Sequence, residues 1–189
     1  MKTIIFVAFL SIAFSASADD SPFRFGAHVG GGSYKASEQD GPSDRASGMA
    51  FGIVGTYDFG PGSRVLANVS RSGYKTEASD VQVGQKASET EVSLSYQTRW
   101  RILRSVKPWV GVGMGYVKSG YKQRYRLASP GSNFAVPLED RNDKGALALV
   151  NLNWELDSDS SWSPGLQIQG GKSFSGKHNY VRAGVYFLY

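Results

Sequence analysis

Apolar and polar side chains alternate along most of this chain with a period of two. That period places one set on each face of a β-strand. The clearest segment runs from Glu89 to Ile102. There Val92, Leu94, Tyr96, Thr98, Trp100 and Ile102 alternate with Glu91, Ser93, Ser95, Gln97, Arg99 and Arg101. Pro108 to Lys118 sets Val110, Val112, Met114 and Tyr116 against Gly111, Gly113 and Gly115. Gly145 to Asp157 sets Ala146, Ala148, Val150, Leu152, Trp154 and Leu156 against Asn151, Asn153 and Glu155. Further alternating segments span Pro22 to Lys35, Gly48 to Gly60, Arg64 to Lys75 and Gly165 to Phe174. The chain ends on one more, with Val181, Ala183, Val185, Phe187 and Tyr189 on one face. Eight strands are predicted, each near the about 9–11 residues that a tilted strand needs to cross a hydrocarbon layer.

The connections alternate in length. Phe59 to Ser63, Leu103 to Lys107 and Ser158 to Pro164 are short, whereas Ala36 to Ser47, Thr76 to Ser88 and Ser119 to Lys144 are long and polar. Ser175 to Asn179 is short again. Short turns on one rim and longer loops on the other predict an all-β, eight-stranded, antiparallel up-and-down transmembrane β-barrel. Closure matters because in lipid every backbone polar group needs a partner, and a closed barrel has no open edge.

Aromatic positions give an independent check. Phe23, Phe25, Tyr57, Phe59, Trp100, Trp109, Trp154, Phe187 and Tyr189 all fall at the short-turn rim, where rings favour the membrane–water boundary. Tyr34, Tyr74, Tyr116, Phe174 and Tyr180 are expected to form a looser belt at the other rim. Alternation alone also fits a soluble, lipocalin-like barrel with its apolar face turned inward. Charges on the second face, the aromatic rim and the two chain ends favour the membrane.

Both ends carry information. Lys2 precedes an apolar run from Thr3 to Phe14, and Ala16-Ser17-Ala18 supplies a small-x-small cleavage site. This reads as a secretory signal peptide over residues 1–18, leaving a barrel domain at 19–189. The run is too short for a spanning helix, which needs about 20 apolar residues. With no cysteine, the exported domain has no disulfide or thiolate-metal framework to hold it. A closed hydrogen-bonded sheet meets that need, and 23 Gly with 10 Tyr and 10 Phe suit strands joined by tight turns. The formal net charge of +5 suggests attraction to an acidic surface only if the charges are grouped.

The last eight residues, with Arg182, Gly184, Phe187 and Tyr189 at polar-x-Gly-x-x-aromatic-x-aromatic spacing, resemble the C-terminal assembly signal of bacterial outer-membrane barrels. Tyr189 stands where a terminal Phe is more usual. Lys107 to Tyr116 looks like the Pro-aromatic-x-Gly-x-Gly strands of the small eight-stranded outer-membrane barrels, the group of OmpX, Ail, OmpW and the OmpA transmembrane domain. The resemblance covers essentially the whole mature chain. It implies insertion into a Gram-negative outer membrane by the barrel-insertion machinery. It does not imply one activity, since members include structural proteins, adhesins, small-solute channels and lipid A enzymes.

Candidate chemistry follows from the faces. Arg24, His28, Glu91, Arg99, Arg101, Glu155 and Arg182 are expected to project into the lumen, where opposed charges must pair. A structural plug is favoured over a catalytic role. His28 and His178 are the two histidines, and no His-x-Ser pair accompanies them. Acidic loop residues are scattered without calcium-loop spacing, so no metal or other cofactor is expected. Lys118, Lys122, Arg124 and Arg126 share one parity above the lipid-facing row, and Lys172 and Lys177 join them as candidate lipopolysaccharide contacts. The leading expectation is a non-enzymatic, monomeric outer-membrane barrel that supports envelope integrity. Its loops would be presented to lipopolysaccharide or an external ligand. No nucleic-acid partner is expected. A channel for small or hydrophobic solutes, and then a lipid A-modifying enzyme, are the alternatives.

Overall fold

The computed structural model describes residues 21–36, 44–79, 83–100, 107–156 and 162–189. Residues 1–18, read above as a signal peptide, lie outside the described residues, as does Arg101. Nine strands form among the described residues: β1 Phe23–Ala36, β2 Asp44–Gly60, β3 Ser63–Thr76, β4 Gly84–Arg99, β5 Trp109–Leu127, β6 Ala135–Leu138, β7 Arg141–Glu155, β8 Ser163–Ser173 and β9 His178–Leu188. Every pairing is antiparallel. Neighbours in sequence are neighbours in the sheet, and the β1–β9 and β4–β5 pairings make the ring continuous. Eight strands thus close an up-and-down barrel, and β6 stands outside it, paired to the far end of β5.

The register fixes the geometry. A perpendicular walk from Phe23 passes Tyr57, Val65, Tyr96, Val112, Val150, Gly170 and Val181, then returns to β1 at Ser33. The return is ten residues above the start. A stagger of that size over eight strands tilts them by about 40°, so each residue climbs about 2.5 Å along the barrel axis.

The strands outrun the apolar segments that predicted them. β2 begins at Asp44, β4 at Gly84 and β7 at Arg141, and β5 continues to Leu127. The long loops read from sequence are correspondingly shorter. Backbone ladder bonds do not depend on side-chain hydropathy, so pairing persists after the lipid-facing row gives way to lysines. Within the expected loop Ser119 to Lys144, β5 and β6 form a hairpin extension closed by Ala128 N–H donating to Phe134 O at 2.9 Å.

The faces are inverted relative to a soluble barrel. Val112, Met114, Val150, Leu94 and Phe51 are exposed, while Ser95, Gln97, Asn151 and Asn153 are fully buried in the lumen. An apolar band this continuous needs a nonaqueous partner. Phe23, Tyr57, Phe59, Trp100, Phe187 and Tyr189 are exposed at its lower edge, joined by Trp162.

Candidate functional site

Among the described residues, two arginine–carboxylate clusters stand in the lower and middle lumen. At the lower end Arg24 Nη2 reaches Asp58 Oδ2 at 3.1 Å and Glu155 Oε1 at 3.2 Å. Glu155 also pairs with Arg64, and Arg99 Nη2 lies 3.8 Å from its second oxygen. Arg64 donates through Nε to Gln97 Oε1 at 2.6 Å. The guanidinium groups of Arg64 and Arg99 sit 4.1 and 4.8 Å from the centre of the Trp109 ring. Trp109 is therefore buried inside the barrel, which corrects its assignment to the outer aromatic rim. It shares the inward parity of Gly111 and Gly113, and the two cations hold its ring there.

The second cluster is centred on Arg182 of β9. Its Nη2 pairs with Glu91 Oε1 at 3.2 Å, its Nη1 donates to Ser70 Oγ at 3.0 Å and its Nε donates to Gln169 Oε1 at 3.0 Å. Tyr180 OH donates to the other Glu91 oxygen at 2.5 Å. Every polar atom that this guanidinium and carboxylate bring inside is thereby engaged, as burial of a charge demands.

Above it lies a layer of tyrosines. Tyr34 stacks on Tyr74 with ring centres 5.2 Å apart and meets Tyr180 at 6.0 Å. All three are buried, so they line the upper lumen and form no outer belt. Their parity explains the correction: Tyr34 shares a face with His28, Tyr74 with Ser70, and Tyr180 with Arg182. Only Tyr116 and Phe174 of the expected belt are exposed. His28 is buried in the lumen, and its Nε2 has no hydrogen-bond partner among the described residues.

His178, read from sequence as a loop residue, opens β9 and is buried. Its Nδ1 lies 3.3 Å from Glu89 Oε1, 3.4 Å from Ser119 Oγ and 3.2 Å from Tyr121 OH. A Ser–His–acid relay needs nucleophile and acid on opposite ring nitrogens. Here all three oxygens crowd one nitrogen, and Ser119 donates to Glu89 directly at 3.2 Å. The arrangement ties β4, β5 and β9 together and lacks the opposed geometry of such a relay.

The outer face carries a basic belt just above the apolar band. Lys118 and Lys122 point outward from β5, as their parity requires. Lys122 is directly opposite Lys86, and Lys86 is directly opposite Lys75. Lys118 is opposite Lys144, and Lys35 is opposite Arg45. Lys172 lies across from Asn179, which in turn lies across from Lys35. Like charges directly opposite one another destabilise a sheet. Lys75 is met within the chain by Glu77 Oε1 at 3.0 Å, and the repetition along the rest of the rim makes this face attractive to anions. Arg71, Lys86, Lys118 and Lys122 line an outward hollow of about 450 Å³ whose described lining includes no carboxylate.

Arg124 and Arg126 do not continue that row. Gln123 takes a left-handed backbone, φ 50°, and the β4–β5 register shifts beside it. The bulge reverses parity beyond it. Arg124 instead donates to Gln85 Oε1 at 3.3 Å and to Glu139 O at 2.8 Å, while Arg126 is exposed opposite Val136 on the β5–β6 hairpin. Lys177 is half-buried in the β8–β9 turn. Sequence reasoning passed over Lys35, Arg45, Arg71, Lys75, Lys86 and Lys144 in the belt, and Asp58, Arg64 and Gln97 in the lower cluster. Carrying each strand's period past its last apolar residue would have found the belt members.

The C-terminal strand closes the barrel. Gly184 lies directly opposite Gly30, and a Cβ added to Gly184 would stand 2.3 Å from Val29 O. The backbones of β1 and β9 approach too closely there for any other residue. Phe187 and Tyr189 face outward at the lower rim.

No family model and no curated protein matches the sequence. Solved structures do match the fold. Ail, the attachment invasion locus protein of Yersinia pestis, is 14% identical and aligns with a TM-score of 0.52 over 88% of this chain and 98% of its own. A second structure of Ail, in complex with the heparin analogue sucrose octasulfate, gives 15% identity and a TM-score of 0.52 over 88% and 99%. Neisserial surface protein A is 16% identical, with a TM-score of 0.51 over 89% of this chain and 94% of its own. The chain has the fold of the small eight-stranded outer-membrane barrels.

Proposed function

We propose that this chain is a non-enzymatic integral protein of the bacterial outer membrane, exported through a cleaved segment at residues 1–18 and inserted by the barrel-assembly machinery through its terminal strand. Its outward basic belt holds the phosphates of lipopolysaccharide and so supports the integrity of the outer leaflet. The observation that carries this reading is the repeated juxtaposition of like charges, Lys86–Lys122, Lys118–Lys144 and Lys35–Arg45, directly above an exposed apolar band. On β1, Lys35 stands twelve residues above Phe23, about 30 Å along the axis and so just clear of a hydrocarbon layer about 25 Å thick. Phosphate groups at that height would turn a repulsive surface into a set of charge-assisted hydrogen bonds. Charge reversal at Lys86, Lys118 and Lys122 should reduce the lipopolysaccharide that co-purifies with the detergent-extracted barrel several-fold. Full retention by the folded variant would remove the reading.

A second reading has one specific support. The Ail complex contains a sulfated saccharide, and the same belt would suit an external polyanion. Heparin–agarose retention that is lost on the same charge reversal, with lipopolysaccharide retention intact, would favour it. A conducting channel is the weaker alternative, because Tyr34, Tyr74 and Tyr180 and the two ion clusters stand across the lumen.

A further inference from the structure

The lipid-facing surface is not uniform. Across β7, β8 and β9 it is furrowed where Ala148 and Gly170 present almost no side chain between Val112, Val150 and Val181. The hollow has a volume of about 790 Å³, and its upper end is rimmed by Lys172, Lys35 and Arg45. None of its described lining residues is a carboxylate. The two halves of this hollow have opposite character. The lower half is an apolar trough at the height of the membrane hydrocarbon. The upper half is a group of cations, two of them, Lys35 and Arg45, directly opposed across β1 and β2.

We propose that this furrow is a specific site for one phosphorylated lipid, with an acyl chain laid against Ala148 and Gly170 and the phosphate held by Lys172, Lys35 and Arg45. The inference rests on the lipopolysaccharide reading and deepens it, because it assigns one lipid a defined seat where the belt as a whole offers diffuse attraction. An acyl chain packs where small residues lower the surface, since it then gains dispersion contacts from both walls as well as from the floor. A cation cluster immediately above that trough matches the chemistry of a lipid whose charged group sits on top of its chains. A soluble polyanion would have no use for the trough, and a purely apolar partner none for the cations. Direct phosphate contact is favoured over a bridging divalent ion, because ammonium and guanidinium groups repel a metal that would need oxygen ligands.

Gly170 offers a clean test. A Cβ placed there would meet nothing nearer than Tyr180 O at 4.0 Å, so a larger side chain can enter the furrow without disturbing the barrel wall. Native mass spectrometry of the barrel purified from outer membranes reads the number of lipids bound. The unaltered protein should carry one tightly held lipopolysaccharide. Gly170→Leu should lower its occupancy several-fold, with unchanged heat-modifiable migration on gels, and Lys172→Glu should do the same from the phosphate end. Arg126→Glu, on the β5–β6 hairpin outside the barrel wall, should leave this one lipid in place. Undiminished occupancy in Gly170→Leu would overturn the site while leaving the belt reading intact. Absence of any lipid from the unaltered protein would remove both. A concentration-dependent dimer lost in Gly170→Leu would assign the furrow to a second copy of the chain and overturn the proposal.

Discussion

Phe25 and Tyr189 exchange both backbone hydrogen bonds, at 3.1 and 2.8 Å, and their rings meet edge to face with centres 6.1 Å apart. The last residue of the chain is thus paired to the third residue of the first strand, and the barrel closes to its very end. Such a ring pair contributes about 0.5–1.5 kcal/mol beyond its buried area. Tyr189→Ala should cost about that much in urea unfolding from detergent micelles. Removal of Tyr189 altogether should also take away the closing bonds and lower the heat-modifiable folded fraction recovered in membranes. An unaltered unfolding midpoint in Tyr189→Ala would mean that the rim aromatics contribute nothing to closure.

The lipid face and the lumen should respond differently to one-residue shifts. Val150 is exposed near the middle of the apolar band, so Val150→Arg should destabilise by about 2–4 kcal/mol in lipid. Its neighbour Asn151 is fully buried and donates to Ser95 Oγ at 2.6 Å. Asn151→Ala should cost about 1 kcal/mol through that bond. Equilibrium unfolding in liposomes measures both.

Arg182 supplies the only guanidinium that reaches Glu91 among the described residues. Arg182→Ala leaves a buried carboxylate without its cation and should cost about 3–5 kcal/mol. The pair of changes Arg182→Met and Glu91→Gln should recover a large part of that loss. A double variant no better than the single one would show that the ion pair does not set the stability of the upper lumen.

Asp143 stands above the apolar band, opposite Ser119 and one step above the Lys118–Lys144 pair. Burial pushes its carboxyl up, but the hydrogen bond and charge of Arg141 outweigh this and hold it below the usual range. A depressed folded pKa means that the linked stability is fully present above the unfolded value of about 3.9 and is lost as pH falls through the folded one. Amide exchange at the first residues of β7 should therefore accelerate below about pH 4. It should become independent of pH, after correction for intrinsic rates, in Asp143→Asn.

Lipid retention should fall with sodium chloride and persist in excess EDTA. The described lining of both hollows includes cations and no carboxylate to recruit a bridging metal, and exposed charge pairs are screened over about 8 Å at physiological ionic strength. Phosphate assay of the size-exclusion peak separates the two outcomes. Release by EDTA at low salt would mean that metal ions carry the contact.

Much of this molecule is written in a local rule. The period of two in Val92–Ile102 or Val110–Tyr116 is a property of successive residues, so it assigned each side chain a face and gave eight strands before any contact was known. The same rule put Arg24, Glu91, Glu155 and Arg182 inside. It also covered Tyr34, Tyr74, Tyr180 and Trp109, which looked like rim aromatics only while their parity was set aside. The sequence could not say which inward residue meets which. Arg64 finds Glu155 and Arg182 finds Glu91 across the width of the lumen, and those meetings depend on the ten-residue stagger with which the sheet closes. Nor could it place the Gln123 bulge that parts Arg124 from Lys122, or bring Lys35, Arg45 and Lys172 around one furrow. Faces follow from the covalent chain, because side-chain direction is fixed residue by residue. Partners follow from closure and register, which exist only when all eight strands are in place.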